Sequence, residues 1–175
     1  AGAEVKYFGK FSDDLDVCIA EVKKALKEVD MLMTTGGVSV GDYDYLPAIY
    51  EAIGAEVLFN KVAMRPGSVT TVASLNNQLL FGLSGNPSAC YVGFELFAKP
   101  IIQRALGNSK PHLRKEKAIL REDFKKANPF TRFVRASIKV EDGRLTAIPS
   151  GFNKSSAVSS LAETNAFIVL PGGSR

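Results

Sequence analysis

The segment TTGGVSVGDYDYL, residues 34–46, decides the fold of this chain because an apolar run enters it and an amphipathic pattern leaves it. The run before it, residues 29–33, suits a strand buried in a parallel sheet, although its periodicity also fits buried helix. Gly36 and Gly37 permit positive φ and let backbone N–H groups approach a ligand oxygen, and Ser39 adds a hydroxyl donor. The segment therefore indicates either an anion-binding loop or an ordinary strand-to-helix turn.

Two aspartates close this loop just before a helical pattern. Residues 46–54 carry apolar side chains at helical spacing and end in Gly54, which favours a helix. Either Asp42 or Asp44 suits the N-cap of that helix. The loop thus joins strand to helix with an acidic rim.

A second loop of similar construction, LSGNPS, occupies residues 83–88 after the apolar run 79–83. Asn86 is a good N-cap, and Pro87 falls near the first helical position, where its missing N–H costs little. Free amides at a helix start favour an anion, so the two loops together predict a site for a phosphorylated ligand at the carboxyl edge of a sheet. Neither loop has the spacing of a Walker A or dinucleotide motif.

Between the loops lie two basic residues, Lys61 and Arg65, and a Pro-Gly turn. Residues 69–75 alternate like a strand that returns through Asn76-Asn77, which predicts a hairpin. The two cations are either solvated surface charges or ligands of the anion that the two loops hold.

The composition argues against several functional classes. The chain has 175 residues, 46% of them hydrophobic, a formal charge of +4 and a pI of about 9.1, with no basic-aromatic interleaving typical of a nucleic-acid surface. No apolar run approaches the roughly 20 residues that span a bilayer, and no signal peptide is visible. His112 is the single histidine, so a Ser-His-Asp mechanism has little support. Cys18 and Cys90 look like reduced core residues of a cytoplasmic protein.

The pattern breaks at residues 107–113, GNSKPHL, which predicts two domains. Before the break, predicted strands alternate with predicted helices, as expected for a three-layer αβα domain with a mostly parallel sheet. These strands are residues 4–8, 31–34, 56–59 and 79–81, and the helices are residues 14–29, 46–54 and 86–106. After the break, strands at residues 117–120, 132–140, 144–149 and 165–170, with a hairpin turn at 141–143, predict a small β-barrel.

Four motifs in this order resemble one family. They are GGVSVGDYDY, AMRPG, LSGNPSA and SSAVSSLAETNAFIVLPGG. Together they resemble the C-terminal half of the molybdopterin molybdenumtransferases, a group that includes the gephyrin E domain. The resemblance implies a molybdopterin-binding α/β domain at residues 1–109 and a β-barrel domain at residues 113–175. It also implies insertion of molybdate into adenylylated molybdopterin with release of AMP, a Mg²⁺ ion, a molybdopterin adenylyltransferase as partner and a homodimer.

The resemblance also implies roles for individual residues. Asp44 occupies the acidic position next to metal or molybdate, and Arg65 matches the basic residue before the Pro-Gly turn. Arg135 and Ser155 match positions in the active-site cleft, although Arg135 also suits a charged residue on an exposed strand face. The residues expected to cradle the pterin-linked phosphate are Gly36, Gly37, Ser39, Gly85, Asn86 and Ser88.

Departures from the family pattern predict limits on what this chain does alone. Ser68 stands where the family commonly has a lysine, which shifts phosphate binding toward Lys61. The family's first strand, its acidic loop and its dimerisation region are not in this sequence, and a final barrel strand is expected beyond its end. We therefore expect a fragment with little insertion activity alone. The alternatives are a molybdopterin-binding or gephyrin-like scaffold domain without catalysis, and a related single-domain adenylyltransferase, which the barrel disfavours.

Overall fold

A computed structural model describes residues 1–11, 14–36, 45–150 and 161–174 of the chain. Nine strands and five helical segments are assigned within these ranges. The strands are β1 (Met31–Thr35), β2 (Glu56–Asn60), β3 (Met64–Arg65), β4 (Thr71–Leu75), β5 (Gln78–Leu83), β6 (Ile119–Leu120), β7 (Thr131–Glu141), β8 (Arg144–Pro149) and β9 (Ala166–Leu170). The helices are α1 (Leu15–Ala25), α2 (Tyr45–Ala52), α3 (Pro87–Gly93), a π-helical segment (Phe94–Ala98) and α4 (Lys99–Ala105).

The first sheet has the strand order β1-β5-β4-β2 and lies between two layers of helix. Successive residues of a strand point to opposite faces, so Leu80 and Phe81 belong to different cores. Leu80 packs with α1 and α2, and Phe81 packs with Ala98 of the π-helical segment. The predicted three-layer α/β class is therefore confirmed.

Strand pairing in the first sheet differs from the mostly parallel arrangement that we expected. β1 pairs with β5 in parallel, whereas β4 is antiparallel to both β5 and β2. The reason is the two-residue turn between β4 and β5, because so short a connection joins only antiparallel strands. Asn76 and Asn77 have φ values of 48° and 67°, which suit the predicted hairpin turn.

The strand predicted at residues 4–8 is wrong, since this segment forms no ladder with a described strand. Val5 and Tyr7 are each 85% exposed. Its described interactions use side chains: Lys6 pairs with Glu28, and Phe8 packs against the core under α1 and α2. Alternating apolar residues form a strand only where a neighbouring edge supplies backbone partners.

The second sheet is built around β7, the longest strand. β8 pairs with its C-terminal half through the turn Asp142-Gly143, which confirms the predicted hairpin, and β9 pairs antiparallel with the other edge. β6, predicted at residues 117–120, is a two-residue strand parallel to β8. The described strands form a curled sheet, and no ladder between β6 and β9 closes it into a ring within the described residues.

β3 connects the two sheets. It lies between β2 and β4 in the chain, yet it pairs in parallel with the start of β7, where Met64 and Arg65 face Thr131 and Arg132. The Thr131 N–H also donates to the Ala63 carbonyl oxygen at 3.2 Å. The segment before the Pro-Gly turn is thus part of the second sheet.

Gly82 lets α2 sit directly on β5. A Cβ atom at Gly82 would overlap Leu46 Cδ1 and lie 3.4 Å from the Tyr50 hydroxyl oxygen. Both side chains are buried, so neither has free space to move into. The contact fixes the start of α2, which follows the acidic loop.

Gly82→Ala is expected to lower the free energy of unfolding by about 1–3 kcal/mol, because an added methyl group overpacks this contact. Chemical denaturation of the chain measures the change. The control is a double-mutant cycle with Leu46→Val, in which the two changes together should cost less than their sum. Strict additivity would mean that the Gly82–Leu46 contact is not the source of the effect.

Candidate functional site

The two glycine loops meet at one edge of the first sheet. β1 and β5 are parallel neighbours that end together, with Thr35 paired to Leu83. The Gly36 N–H donates to the Leu83 carbonyl oxygen at 3.1 Å, and a Cβ atom on Gly85 would lie 3.2 Å from Gly36 Cα. The structure therefore brings Gly36 and Gly85 into backbone contact.

Gly36 adopts a conformation that favours glycine. Its φ is 84°, and a Cβ atom built on it would have no heavy atom of the described residues within 4 Å. Beside it, the buried Thr34 hydroxyl oxygen has no hydrogen-bond partner in the described part of the chain. A polar atom of this kind has capacity for a ligand or water.

Several predicted site residues lie outside the described residues. These are Gly37, Ser39, Asp42, Asp44 and Ser155. Their assignments therefore stay predictions from sequence.

Asn86 caps the helix that follows the second loop, as the sequence predicts. Its side-chain oxygen accepts hydrogen bonds from the N–H groups of Ser88 and Ala89 at 3.0 and 3.4 Å. Pro87 is the first helical residue. These two amides are consequently not free for an anion, contrary to our expectation. Ser88 is also only 7% exposed, so its side chain lies inside the protein.

The Pro-Gly turn packs against the first turn of α3. A Cβ atom at Gly67 would lie 3.3 Å from the carbonyl oxygen of Ala89, and the Thr70 hydroxyl donates to the Gly67 carbonyl oxygen at 2.8 Å. The predicted AMRPG and LSGNPSA motifs are therefore neighbours in space. A larger residue at Gly67 would separate them.

Lys61 and Ser68 lie on the two arms of the loop that carries this turn. The Lys61 N–H donates to the Thr70 carbonyl oxygen at 3.1 Å, and the Val62 N–H donates to the Ser68 carbonyl oxygen at 2.8 Å. Lys61 is exposed and has a φ of 94°. The main chain thus holds Lys61 and Ser68 near each other.

Arg65 is directed toward the second sheet. Its guanidinium carbon lies 5.3 Å from the centroid of the Phe130 ring, a cation–π distance. Such a contact at an exposed site is worth about 0.5–1 kcal/mol. The role of Arg65 toward a phosphate stays a prediction, but its described contact ties the Pro-Gly turn to the β7 side of the molecule.

Arg135 is buried, so its interpretation as a charge on an exposed strand face is wrong. It is 6% exposed and pairs across the β7–β9 ladder with Phe167. The Phe167 ring in turn packs on Tyr91 of α3, with 5.7 Å between centroids. Arg135 therefore lies where the second sheet meets the helix that begins at Asn86.

A group of charges surrounds Tyr91 at this junction. Glu95 is 8% exposed, and its two carboxylate oxygens accept hydrogen bonds from Lys99 Nζ at 3.0 and 2.8 Å. Burial, and then the negative charge of Glu95, raise the pKa of Tyr91, while Lys99 and Arg135 partly offset this. Burial and the charge of Glu95 thus both favour the neutral, protonated form of the Tyr91 hydroxyl.

The predictions from sequence missed Tyr91, Glu95 and Lys99. These residues recur every fourth position within residues 89–102, which are otherwise apolar, and this spacing is the signal that could have found them. The π-helical segment was missed as well, since residues 86–106 were predicted as one regular helix. Wide turns of this kind occur often at functional sites.

The described residues offer no obvious metal centre. No group of three or more His, Cys, Asp or Glu side chains in the described ranges could hold a metal ion. A helix long and apolar enough to cross a membrane is likewise absent from these ranges.

Comparison with known families gives two matches along the chain. Residues 1–104 match the family described as "Probable molybdopterin binding domain", and residues 117–175 match "MoeA C-terminal region (domain IV)". The first match covers more than half of the chain.

Individual relatives agree with these matches. The chain is 67% identical over its whole length to a Bacillus subtilis (strain 168) protein named molybdopterin molybdenumtransferase, of which it covers 41%. It is 58% identical over 99% of its length to a protein of the same name from Staphylococcus aureus (strain COL), of which it covers 42%. The chain thus spans less than half the length of these curated relatives.

A solved structure shares the fold. The crystal structure of the molybdopterin biosynthesis moea protein from Pyrococcus horikosii matches 94% of this chain with a TM-score of 0.75 and 26% identity. The match covers 39% of that chain.

Gly85→Ala is expected to push the two loops apart, because the added Cβ would crowd the Gly36 backbone. The Gly36 amide should then exchange its hydrogen faster, since its bond to Leu83 weakens. Residue-resolved hydrogen exchange measures this, with Gly54→Ala as a control away from the loops. An unchanged Gly36 rate in Gly85→Ala, relative to that control, would show that the loops do not press on each other.

Proposed function

Because the chain belongs to the molybdopterin molybdenumtransferase family, we propose that it forms the molybdopterin-binding part of an enzyme that inserts molybdate into adenylylated molybdopterin and releases AMP. The names of its relatives connect these proteins with molybdenum cofactor biosynthesis. The observation that best supports a molybdopterin-binding site in this chain is the backbone contact between Gly36 and Gly85. It joins two sequence motifs into one polar edge beside the start of α3.

In this proposal, residues 1–109 form the molybdopterin-binding domain and residues 113–175 the small β-barrel domain. The family matches support this division, and so do the two sheets except at β3, which pairs with β7 of the second sheet. The reaction takes place in the cytoplasm, in a homodimer that receives its substrate from a molybdopterin adenylyltransferase.

The substrate phosphates lie against the two glycine loops. Backbone N–H groups of the two loops supply donors, other than that of Gly36, which already donates to Leu83. The Thr34 hydroxyl is a further polar group at this edge. The remaining residues of this proposed surface are Gly37, Ser39, Lys61, Ser68, Arg135 and Ser155. Asn86 and Ser88, which we expected there, are instead paired with each other at the start of α3.

Catalysis in this proposal comes from positioning and electrostatics, with no covalent intermediate. Arg65 and the backbone amides hold the adenylate so that its phosphate bond is oriented for cleavage and its charge is offset. Fixed donors of this kind require little reorganisation during the reaction. Asp44, the last acidic residue of the first loop in the sequence, supplies the carboxylate of the site.

Asp44 is proposed as a ligand of Mg²⁺, since carboxylate oxygens suit a hard cation. The described residues do not by themselves form a site for this ion, because they lack a cluster of suitable ligands. The dependence of ligand binding on Mg²⁺ is therefore measured directly.

The experiment that tests the proposal is calorimetry of the 175-residue chain with molybdopterin and with its adenylate, each with and without Mg²⁺. Saturable binding is expected because the glycine loops and Arg135 belong to this chain. Absence of binding under all conditions would contradict the proposed site. Substantial molybdate insertion by the chain alone would contradict our view that the rest of the protein is required.

Asp44→Asn is expected to abolish the effect of Mg²⁺ on binding while leaving molybdopterin binding detectable. Asp42→Asn is the matched control, because Asp42 is assigned to local turn chemistry. Activity is measured in a chimaera in which this chain replaces the matching 41% of the Bacillus subtilis relative. There Asp44→Asn should stop insertion and Asp42→Asn should not. If the two changes have equal effects, the assignment of Asp44 to Mg²⁺ binding and insertion is wrong.

Lys61→Ala is expected to weaken molybdopterin binding about tenfold, equivalent to about 1.4 kcal/mol, because Lys61 replaces the cation that the family has at position 68. Ser68→Lys should restore the affinity in the Lys61→Ala background. Calorimetry at two salt concentrations measures both, since an ionic contact weakens with salt. Lys125→Ala serves as the control for loss of a surface charge. No recovery in the double variant would show that the two positions do not share a function.

A further inference from the structure

The helix that begins at the second glycine loop also contacts the second sheet. Asn86 caps its start, and Tyr91 follows five residues later, roughly 8 Å along the axis at 1.5 Å per residue. The helical path continues through the π-helical segment into α4. One rigid element therefore links the loop at Gly85 to the position of Tyr91.

Three residues of the second sheet share the face that meets this helix. Phe133 and Arg135 are two positions apart on β7, and Phe167 on β9 is the register partner of Arg135. The Phe167 ring contacts both Tyr91, at 5.7 Å, and Phe133, at 6.5 Å between centroids. Phe167 is thus held between α3 and its own sheet.

We propose that Tyr91 is a positioning residue. Its ring packs on Phe167 and thereby sets where Arg135 lies relative to the two glycine loops. The inference rests on the proposed function, because it assigns Arg135 and the loops to one ligand. Tyr91 itself lies outside the surface proposed to bind the substrate phosphates and acts through its contact with Phe167.

The ring, rather than the hydroxyl group, carries this role. Glu95 accepts hydrogen bonds from Lys99 through both carboxylate oxygens, so the carboxylate four residues after Tyr91 already has a partner. The contact between the Tyr91 and Phe167 rings joins helix α3 to strand β9 of the second sheet. Loss of the ring would leave a gap between α3 and β9 that nearby charged groups fill poorly.

The chain contains a matched control for the loss of one ring. Phe97 and Phe59 form a pair with 5.5 Å between centroids and 54° between ring planes, close to the 5.7 Å and 59° of Tyr91 and Phe167. The Phe59–Phe97 pair belongs to the core of the first sheet, and all described members of that core come from this sheet and the helices packed on it. Phe97→Leu therefore removes a similar ring contact without altering the junction.

The test compares Tyr91→Leu, Phe167→Leu, Tyr91→Phe and Phe97→Leu in the 175-residue chain. Spin labels are placed at two exposed positions, Glu51 on α2, which packs on the first sheet, and Lys139 on β7 of the second sheet, with Cys18 and Cys90 replaced. Pulsed electron paramagnetic resonance then measures the distance between α2 and β7. Calorimetry reports the affinity for molybdopterin. Chemical denaturation verifies that each variant is folded.

Tyr91→Leu and Phe167→Leu should broaden or shift the distance distribution and weaken molybdopterin binding about tenfold. Tyr91→Phe should retain both properties, and Phe97→Leu should change only stability. Distances in Tyr91→Leu that match those in Phe97→Leu would overturn the inference. If the unmodified chain binds no molybdopterin, the proposed function fails, while the distance measurement still tests the role of Tyr91.

Discussion

The parallel ladder between β1 and β5 is the constraint on which the candidate site depends. Parallel neighbours end at the same edge of a sheet, so the loops after Thr35 and Leu83 emerge side by side. The Gly36 hydrogen bond to Leu83 continues the ladder one residue into the loop. A side chain at Gly85 would crowd this contact. Two motifs separated by almost fifty residues become one surface for this reason.

The second constraint is the way in which the two sheets are joined. β3 leaves the first sheet to pair with β7, and the Pro-Gly turn that follows it packs on the first turn of α3. On the other side of α3, Tyr91 packs on Phe167. The helix is consequently held by both the turn and the second sheet. Arg135 acquires a defined position because its ladder partner is part of this contact.

Local chemistry made much of the fold predictable. The turns at Asn76-Asn77 and Asp142-Gly143 have positive φ at both residues, which their composition allows. Asn86 and Pro87 mark a helix start wherever the helix packs. The strand predicted at residues 4–8 failed because its pattern depends on a partner strand. The expectation of a mostly parallel sheet was wrong in part because the predicted hairpin between β4 and β5 already required antiparallel pairing.

The sequence by itself determined the turns, the caps, the two glycine loops and the resemblance to molybdopterin molybdenumtransferases, because each depends on neighbouring residues or on motif order. Only the tertiary structure decided that Gly36 touches Gly85, that the amides of Ser88 and Ala89 are already bonded, and that Arg135 is buried. Strand alternation shows which residues share a face, but the packing of other elements decides which face is covered. The site therefore takes its chemistry from local sequence and its geometry from contacts between distant segments.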